Sequence, residues 1–336
     1  MRHAIFIAGF LFAASTSAQE PAAQPLPPTA ENPDATTLDT VLVTGEQPGP
    51  GLWKVSKGDH VLWILGTQYP LPKKMTWRAD EVERTIADSQ EVIADATGKL
   101  DINFFRALTL VPAVLGARKN PDHATLREVL PPDLYARWLA LKAKYVGRDS
   151  GIEKLRPMIA ANELYDKALD KSGLVRSGMV WDTVRRSAKK NHVRITEPEA
   201  KIPVEDPKQV IQDFKSTTGD LDVACLAATI RRLETDLEAM RQRANAWAIG
   251  DIEALRNLPY EDLKAPCIAA LEANSRLHAQ LDAAKVQIVD VWLAAADKAL
   301  ANNRSTLAVL PVSELLSPEG RLEQLRAKGY EIEAPE

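Results

Sequence analysis

The stretch Leu52-Trp-Lys-Val-Ser56, followed by Lys57-Gly-Asp59 and His60-Val-Leu-Trp-Ile-Leu65, predicts a β-hairpin. Both runs are rich in the β-branched and aromatic residues that strands favour, and the glycine between them suits a tight turn. Further runs of the same kind follow later in the chain, at residues 91–95, 192–195, 306–310 and 330–333. Together these runs predict one sheet that is assembled from distant parts of the sequence.

The segments between the predicted strands carry apolar residues at helical spacing. Residues 104–171 are predicted to be mostly helical. Because proline cannot donate to the helical hydrogen-bond ladder, breaks are expected at Pro112, Pro121, Pro131, Pro132 and Pro157. The predicted fold class is therefore α+β, a mixed central sheet with a large helical insertion.

Two further helix boundaries follow from capping residues. The apolar residues from Leu226 to Trp247 fall on one helix face, which predicts a single helix that ends at Gly250. Near the carboxyl terminus, Ser317 and Pro318 are typical of a helix cap and of the first helical position.

Composition excludes several classes of protein. The chain has 336 residues, of which 45% are hydrophobic and 26% charged, and its formal net charge is -4. These proportions are those of a globular protein, and the slight acidic excess argues against a nucleic-acid partner. With 2 cysteines the chain cannot form a zinc site of three or four thiolates.

The amino terminus is typical of an exported protein. Residues 1–18 combine basic Arg2, a short apolar run and small residues up to Ala18, which predicts a signal peptide cleaved near Ala18. Residues 19–50 are predicted to be a Pro/Ala-rich linker with a short strand-like segment at 38–45. Residues 51–336 are predicted to be a single domain, with no transmembrane segment in the mature chain. The expected location is the periplasm or the exterior.

The two cysteines, Cys225 and Cys267, both fall in predicted helices. In an oxidising compartment two thiols pair more often than they remain free. A Cys225–Cys267 disulfide is therefore expected.

Ordered short matches identify a family resemblance. They are Leu52-Trp-Lys-Val, Val61-Leu-Trp-Ile-Leu-Gly66-Thr67, Leu155-Arg-Pro157, Asn245-Ala-Trp247 with Gly250-Asp251, and the closing segment from Gly320 to Tyr330. In this order they resemble the TraB/GumN family, which is related to the Tiki metalloproteases, over residues 51–333. The resemblance implies a sheet built from two related strand-and-helix halves, one near residue 60 and one near residue 308.

The resemblance also implies a metal site, from which this chain departs. Family members carry a Gly-Thr-x-His motif after the first long strand, an acidic residue after the next, and a Gly-x-x-His motif near the carboxyl terminus. Here the first motif reads Gly66-Thr67-Gln68-Tyr69 and the second reads Leu310-Pro-Val-Ser313, so both histidines are replaced. The acidic residue is Asp95. A phenol and a hydroxyl are poor ligands beside imidazole, so no metal or other cofactor is expected.

The leading hypothesis is a TraB/GumN-like pseudoenzyme that retains a binding or scaffolding role. Its binding positions would be the degenerate motif residues Gly66, Thr67, Gln68, Tyr69 and Ser313, and its partner a peptide or an envelope protein. If catalysis is retained, the candidate catalytic residues are Asp95 and Glu197, which ends a predicted strand.

Two alternatives remain open. In the first, Asp95 and Glu197 act as general acid and base of an altered hydrolase, or hold a divalent cation together with Gln68 and Tyr69 oxygens. Oxygen ligands would favour manganese or magnesium over zinc. In the second, residues 19–50 recruit a partner in the cell envelope.

Overall fold

The computed structural model describes residues 49–217, 219–258 and 265–335. Within these ranges it contains ten strands. They are β1 (Leu52–Lys57), β2 (His60–Thr67), β3 (Leu71–Pro72), β4 (Glu91–Ile93), β5 (Thr97–Asp101), β6 (Leu174–Val175), β7 (Arg194–Thr196), β8 (Glu199–Pro203), β9 (Ser305–Pro311) and β10 (Glu331–Glu333).

The same ranges contain fourteen α-helices and two short 3-10 helices, Pro121–His123 and Gly151–Lys154. The α-helices are α1 (Asp80–Ala87), α2 (Phe104–Ala117), α3 (Leu126–Val129), α4 (Pro132–Tyr145), α5 (Pro157–Lys171), α6 (Met179–Lys190), α7 (Pro207–Lys215), α8 (Gly219–Thr235), α9 (Leu237–Ala248), α10 (Ile252–Asn257), α11 (Ala265–Glu272), α12 (Ser275–Asn302), α13 (Val312–Leu316) and α14 (Arg321–Ala327). None of these described helices is both long enough and apolar enough to span a membrane.

A mixed sheet of six strands organises the fold, in the order β10-β1-β2-β9-β4-β7. Four strands that are adjacent in the sheet run parallel to one another, namely β2, β9, β4 and β7. In contrast, β1 is antiparallel to both of its neighbours, β10 and β2. β2 and β9 lie side by side from the Val61–Ser305 pair to the Thr67–Pro311 pair. The hairpin, the mixed sheet and the α+β class are as predicted.

Helices cover both faces of this sheet. On one face Ile64, Ile93 and Ala308 pack against α12 and α14. On the other face Leu65 and Val309 pack against α1, α6 and α9. Because both faces are covered, residues 306–310 of β9 are all buried, as expected for a parallel strand at the centre of a domain.

The helical insertion has a core of its own. Buried side chains of α3, α4, α5, α8 and α11 surround the fully buried Trp138. The predicted disulfide joins Cys225 of α8 to Cys267 of α11. Beneath it, the buried guanidinium of Arg156 donates to Asp222 at 2.6 Å and so ties the start of α5 to α8.

The prediction of a helix break at Pro112 is wrong, because α2 continues through this residue. The helix buries Leu110 and Ala117, while Leu108 and Val111 are 53% and 47% exposed. On such an exposed surface, water can solvate the backbone carbonyl that proline leaves without a donor, so this break is not forced. At the other predicted breaks, Pro121, Pro132 and Pro157 begin new helical segments.

The prediction of one helix from Leu226 to Trp247 is also wrong. The chain forms α8 and α9, separated by Asp236 with φ -109° and ψ 1°. The Thr235 hydroxyl donates to the Asp236 carboxylate at 2.6 Å, and such local bonds compete with helix continuation. Because of this break, the apolar residues of the two helices pack in different cores. Leu226 of α8 packs in the insertion core, whereas Trp247 of α9 packs against the sheet.

The helix predicted to begin at Ser317 and Pro318 begins later. Ser317 ends α13, and its hydroxyl accepts a hydrogen bond from the Glu319 amide at 3.2 Å. Gly320 then caps α14, in a turn so close that a Cβ there would lie 2.1 Å from the Glu314 carbonyl oxygen. The predicted signal peptide, and the linker through residue 48 with its segment 38–45, lie outside the described residues.

Candidate functional site

Four predicted site positions follow the carboxyl ends of four parallel strands. Tyr69 follows β2, Ser313 follows β9, Asp95 follows β4 and Glu197 follows β7. Since these strands are parallel, all four positions lie at one edge of the sheet, where open α/β sheets commonly bind ligands. The edge is therefore the candidate site.

Gly66 at this edge is a packing residue. Its carbonyl accepts a 2.7 Å hydrogen bond from the buried Trp247 indole. A Cβ at Gly66 would lie 2.9 Å from the Val312 side chain, which is closer than real Cβ atoms approach, and 3.0 Å from the Leu315 side chain, which is a tight contact. Glycine is needed here because α13 folds back directly over the end of β2.

Thr67 and Gln68 make structural hydrogen bonds to backbone carbonyls. The Thr67 hydroxyl donates to the Leu310 carbonyl of β9 at 3.3 Å. The Gln68 side-chain amide donates to the Tyr69 carbonyl at 2.9 Å. Both contacts hold the segment that leaves the sheet.

Tyr69 reaches away from the sheet to the first turn of α6. Its hydroxyl accepts a hydrogen bond from the Val180 amide at 3.3 Å. Gly178, the residue before α6, makes no side-chain cap of its own, so the phenol supplies the capping acceptor. Burial raises the pKa of Tyr69, although hydrogen bonds from the helix amides partly oppose this effect. The phenol is therefore neutral at physiological pH and is engaged by the fold.

Asp95 is paired with a buried arginine. The Arg321 guanidinium donates to the Asp95 carboxylate, lies 3.5 Å from Glu314 and stacks 5.6 Å above the Trp292 ring centroid. The Arg321 side chain is 7% exposed, whereas that of Asp95 is 40% exposed. Asp95 therefore joins the start of α14 to the end of β4, on the sheet face that α12 covers.

Glu197 faces the opposite helical layer. Its carboxylate lies 4.0 Å from the Arg185 guanidinium of α6, and its side chain is 66% exposed. Asp95 lies in the loop between β4 and β5, and Glu197 lies in the loop between β7 and β8. These two loops are neighbours, because β4 pairs with β7 and β5 pairs with β8. Each carboxylate nevertheless contacts an arginine from a different side of the sheet.

Ser313, in the first turn of α13, is exposed. Its backbone carbonyl accepts from the Ser317 amide at 3.0 Å, and no side-chain hydrogen bond of Ser313 occurs within the described residues. Together with Tyr69 and Asp95 it forms the set that would have to hold a divalent metal. This set does not fit such an ion, because the phenol caps a helix, the carboxylate is neutralised by arginine and the serine is a neutral hydroxyl.

Another cluster has the right residue types for a metal site. Glu272, His278 and Asp282 place their ligand atoms within 4.8 Å of one another, the one such group in the described part of the chain. The Lys285 ammonium already contacts Glu272 at 3.0 Å and Asp282 at 3.2 Å. These groups on α11 and α12 therefore belong to an ion-pair network at the surface, in which His278 is exposed and both carboxylates are partly buried.

Sequence reasoning missed the partners of the predicted residues. Arg321 and Glu314 lie far from Asp95 in the chain, and Val180 lies far from Tyr69. It also missed a cavity of about 490 Å³ that Tyr69 and Pro70 share with α5, α7, α8 and α11. The place where a ligand could contact Tyr69 is therefore on the side of the helical insertion.

Comparison with known proteins gives one match. The model of the TraB/PrgY/gumN family matches residues 51–334, nearly the whole chain. No curated protein and no solved structure matched.

Proposed function

Because the chain belongs to the TraB/PrgY/gumN family, we propose that it is an exported member that binds a ligand and does not carry out metal-dependent hydrolysis. The observation that carries this proposal is the engagement of Tyr69, whose hydroxyl caps α6 at the position where the family motif places a histidine. Its neutral phenol has replaced a metal-binding imidazole with a structural contact.

The pairing of Asp95 with Arg321 supports the same function. A carboxylate that already pairs with a buried guanidinium is a poor metal ligand, because a cation would have to displace Arg321 or lie beside its positive charge. The separation of Asp95 and Glu197 onto arginines from opposite layers also argues against a shared acid–base role.

Export to the periplasm or the exterior is part of this proposal. The disulfide between Cys225 and Cys267 supports an oxidising compartment. The proposed ligand site is the cavity beside Tyr69, and an apolar peptide or a small molecule of similar size would fill it.

A peptidase assay tests the proposal. The chain from residue 19 onward would be incubated with a library of quenched fluorescent peptides, with and without added manganese or zinc, beside an Asp95→Ala variant. We expect the two proteins to give the same background signal. Cleavage by the wild type that is abolished in Asp95→Ala would overturn the proposal and favour the altered hydrolase.

A further inference from the structure

The wall of the cavity beside Tyr69 combines apolar side chains, a disulfide and two arginines. Most of its lining is apolar, from side chains such as Met158, Ile159 and Phe214, and the Cys225–Cys267 disulfide forms part of the wall. Its volume of about 490 Å³ lies within the range of about 300–1,000 Å³ that is usual for small-molecule sites. An apolar molecule of roughly ten to twenty heavy atoms fits such a space.

The charged groups of this wall are all positive. Among the described residues that line the cavity, Arg176 and Arg232 are charged and none is acidic. Arg176 already has a partner, since it donates to Asp166 at 2.5 Å and to Asn162 at 3.2 Å. Arg232 is therefore the group whose charge an occupant of the cavity could balance.

Arg232 is held in place but is not neutralised. Its guanidinium stacks 5.0 Å from the centroid of the Tyr165 ring, and it makes no ion pair with any described residue. Its Nε is buried and has no hydrogen-bond acceptor in that part of the chain. A guanidinium that stacks by its face can still donate hydrogen bonds in its own plane, where its N–H groups match the two oxygens of a carboxylate.

We infer that this cavity binds a small molecule that has an apolar body and a single carboxylate, with the carboxylate on Arg232 and the body against the apolar wall. This inference rests on the proposed binding function and gives its ligand class. A neutral molecule of the same shape would leave the buried Arg232 donor unpaired, and a cationic one would add a second positive charge beside it.

Three ligands with the same tail test the inference. Decanoate, decanol and decyltrimethylammonium would be titrated calorimetrically into the chain from residue 19 onward. We expect decanoate to bind at least tenfold more tightly than decanol, and decyltrimethylammonium to bind more weakly than either. Equal affinity for decanoate and decanol, or no binding of decanoate, would overturn the inference.

Substitutions then locate the site. Arg232→Gln should weaken decanoate binding at least tenfold and leave decanol binding unchanged. Arg241→Gln, at an exposed arginine that pairs with Glu238 on α9, is the matched control and should change neither. Ile268→Trp, which fills the cavity, should abolish binding of both decanoate and decanol. Unchanged decanoate binding in both Arg232→Gln and Ile268→Trp would overturn the assignment.

These outcomes are separate from those that test the proposed function. Metal-dependent cleavage lost in Asp95→Ala would overturn the pseudoenzyme proposal whatever decanoate does. Absence of decanoate binding together with absence of cleavage would overturn the ligand class alone.

Discussion

Removing one oxygen atom from Tyr69 tests whether this residue is structural. In Tyr69→Phe the Val180 amide loses its acceptor, while the ring and its packing remain. Loss of a helix-capping acceptor costs about 0.5–2 kcal/mol. The 3.3 Å contact is longer than the usual N–H···O distance of about 2.9–3.0 Å, so we expect a loss in the lower half of this range, about 1 kcal/mol.

Thermal unfolding followed by circular dichroism measures this loss. With an unfolding entropy of about 2.1 cal/mol/K per residue, a loss of about 1 kcal/mol lowers the Tm of a chain of this size by roughly 1.5–2 °C. Tyr145→Phe is the matched control, because the Tyr145 hydroxyl is buried and lacks a hydrogen-bond partner within the described residues. Removing an unsatisfied buried hydroxyl should leave the Tm unchanged or raise it.

Both variants remove one phenolic hydroxyl, but Tyr69→Phe is expected to lower the Tm and Tyr145→Phe is not. If Tyr69→Phe unfolds at the wild-type temperature, or if Tyr145→Phe loses as much stability, the hydroxyl of Tyr69 does not cap α6. The structural explanation for the replaced histidine would then fail.

Three further predictions concern the disulfide, the sheet and its edge. Cys225→Ser/Cys267→Ser should lose about 4 kcal/mol in urea unfolding, because the bridge closes a loop of 42 residues; an unchanged midpoint would contradict this. Burial alone would raise the pKa of Glu91, but hydrogen bonds from Thr196, Asn303 and Arg194 outweigh it and lower the pKa. The ionised Glu91 carboxylate should therefore contribute fully to the free energy of unfolding above the ordinary carboxyl pKa. This contribution should be lost as the pH falls through the folded-state pKa of Glu91. Urea unfolding between pH 7 and pH 3 tests this. Glu91→Gln should lower the free energy of unfolding by about 2 kcal/mol at pH 7 and should make that free energy fall less steeply with decreasing pH. An unchanged dependence on pH would refute the stabilising role of the Glu91 carboxylate. Gly66→Ala should lose about 1–3 kcal/mol by overpacking against Val312 and Leu315, whereas Gly219→Ala, with open space around the added methyl group, should be nearly neutral by the same assay.

The parts of the fold that follow local rules could be predicted from the sequence. The hairpin depends on residues next to one another, and the buried run of β9 has the composition of a central strand. The sheet edge follows because parallel strands place their carboxyl ends together. Pairing of Cys225 with Cys267 required only an oxidising compartment and the absence of a third cysteine.

The contacts that decide the chemistry could not be predicted in this way. Arg321 approaches Asp95 across 226 positions of sequence, and Val180 approaches Tyr69 across 111. Neither contact leaves a local pattern, because it depends on how α14 and α6 pack on the sheet. The break at Asp236 was missed for a related reason, since the apolar spacing continues while the core that it faces changes.

The cavity beside Tyr69 could not be predicted for the same physical reason. Arg231 and Arg232 are adjacent basic residues of the kind that is typical of a solvated helix surface, and the stacking of Arg232 on Tyr165 is visible only after α5 and α8 have packed together. A single sequence identifies the family and the replaced histidines, but the surroundings of Arg232 require coordinates.

The bound-metal content of the purified protein shows whether Tyr69 and Asp95 at the sheet edge hold a divalent ion. The chain from residue 19 onward would be prepared without a histidine tag, soaked with manganese or zinc, desalted and measured by elemental analysis beside Asp95→Ala. With Tyr69 capping α6 and Asp95 paired with Arg321, we predict no stoichiometric metal in either protein. Near-stoichiometric metal in the wild type that is lost in Asp95→Ala would contradict the account.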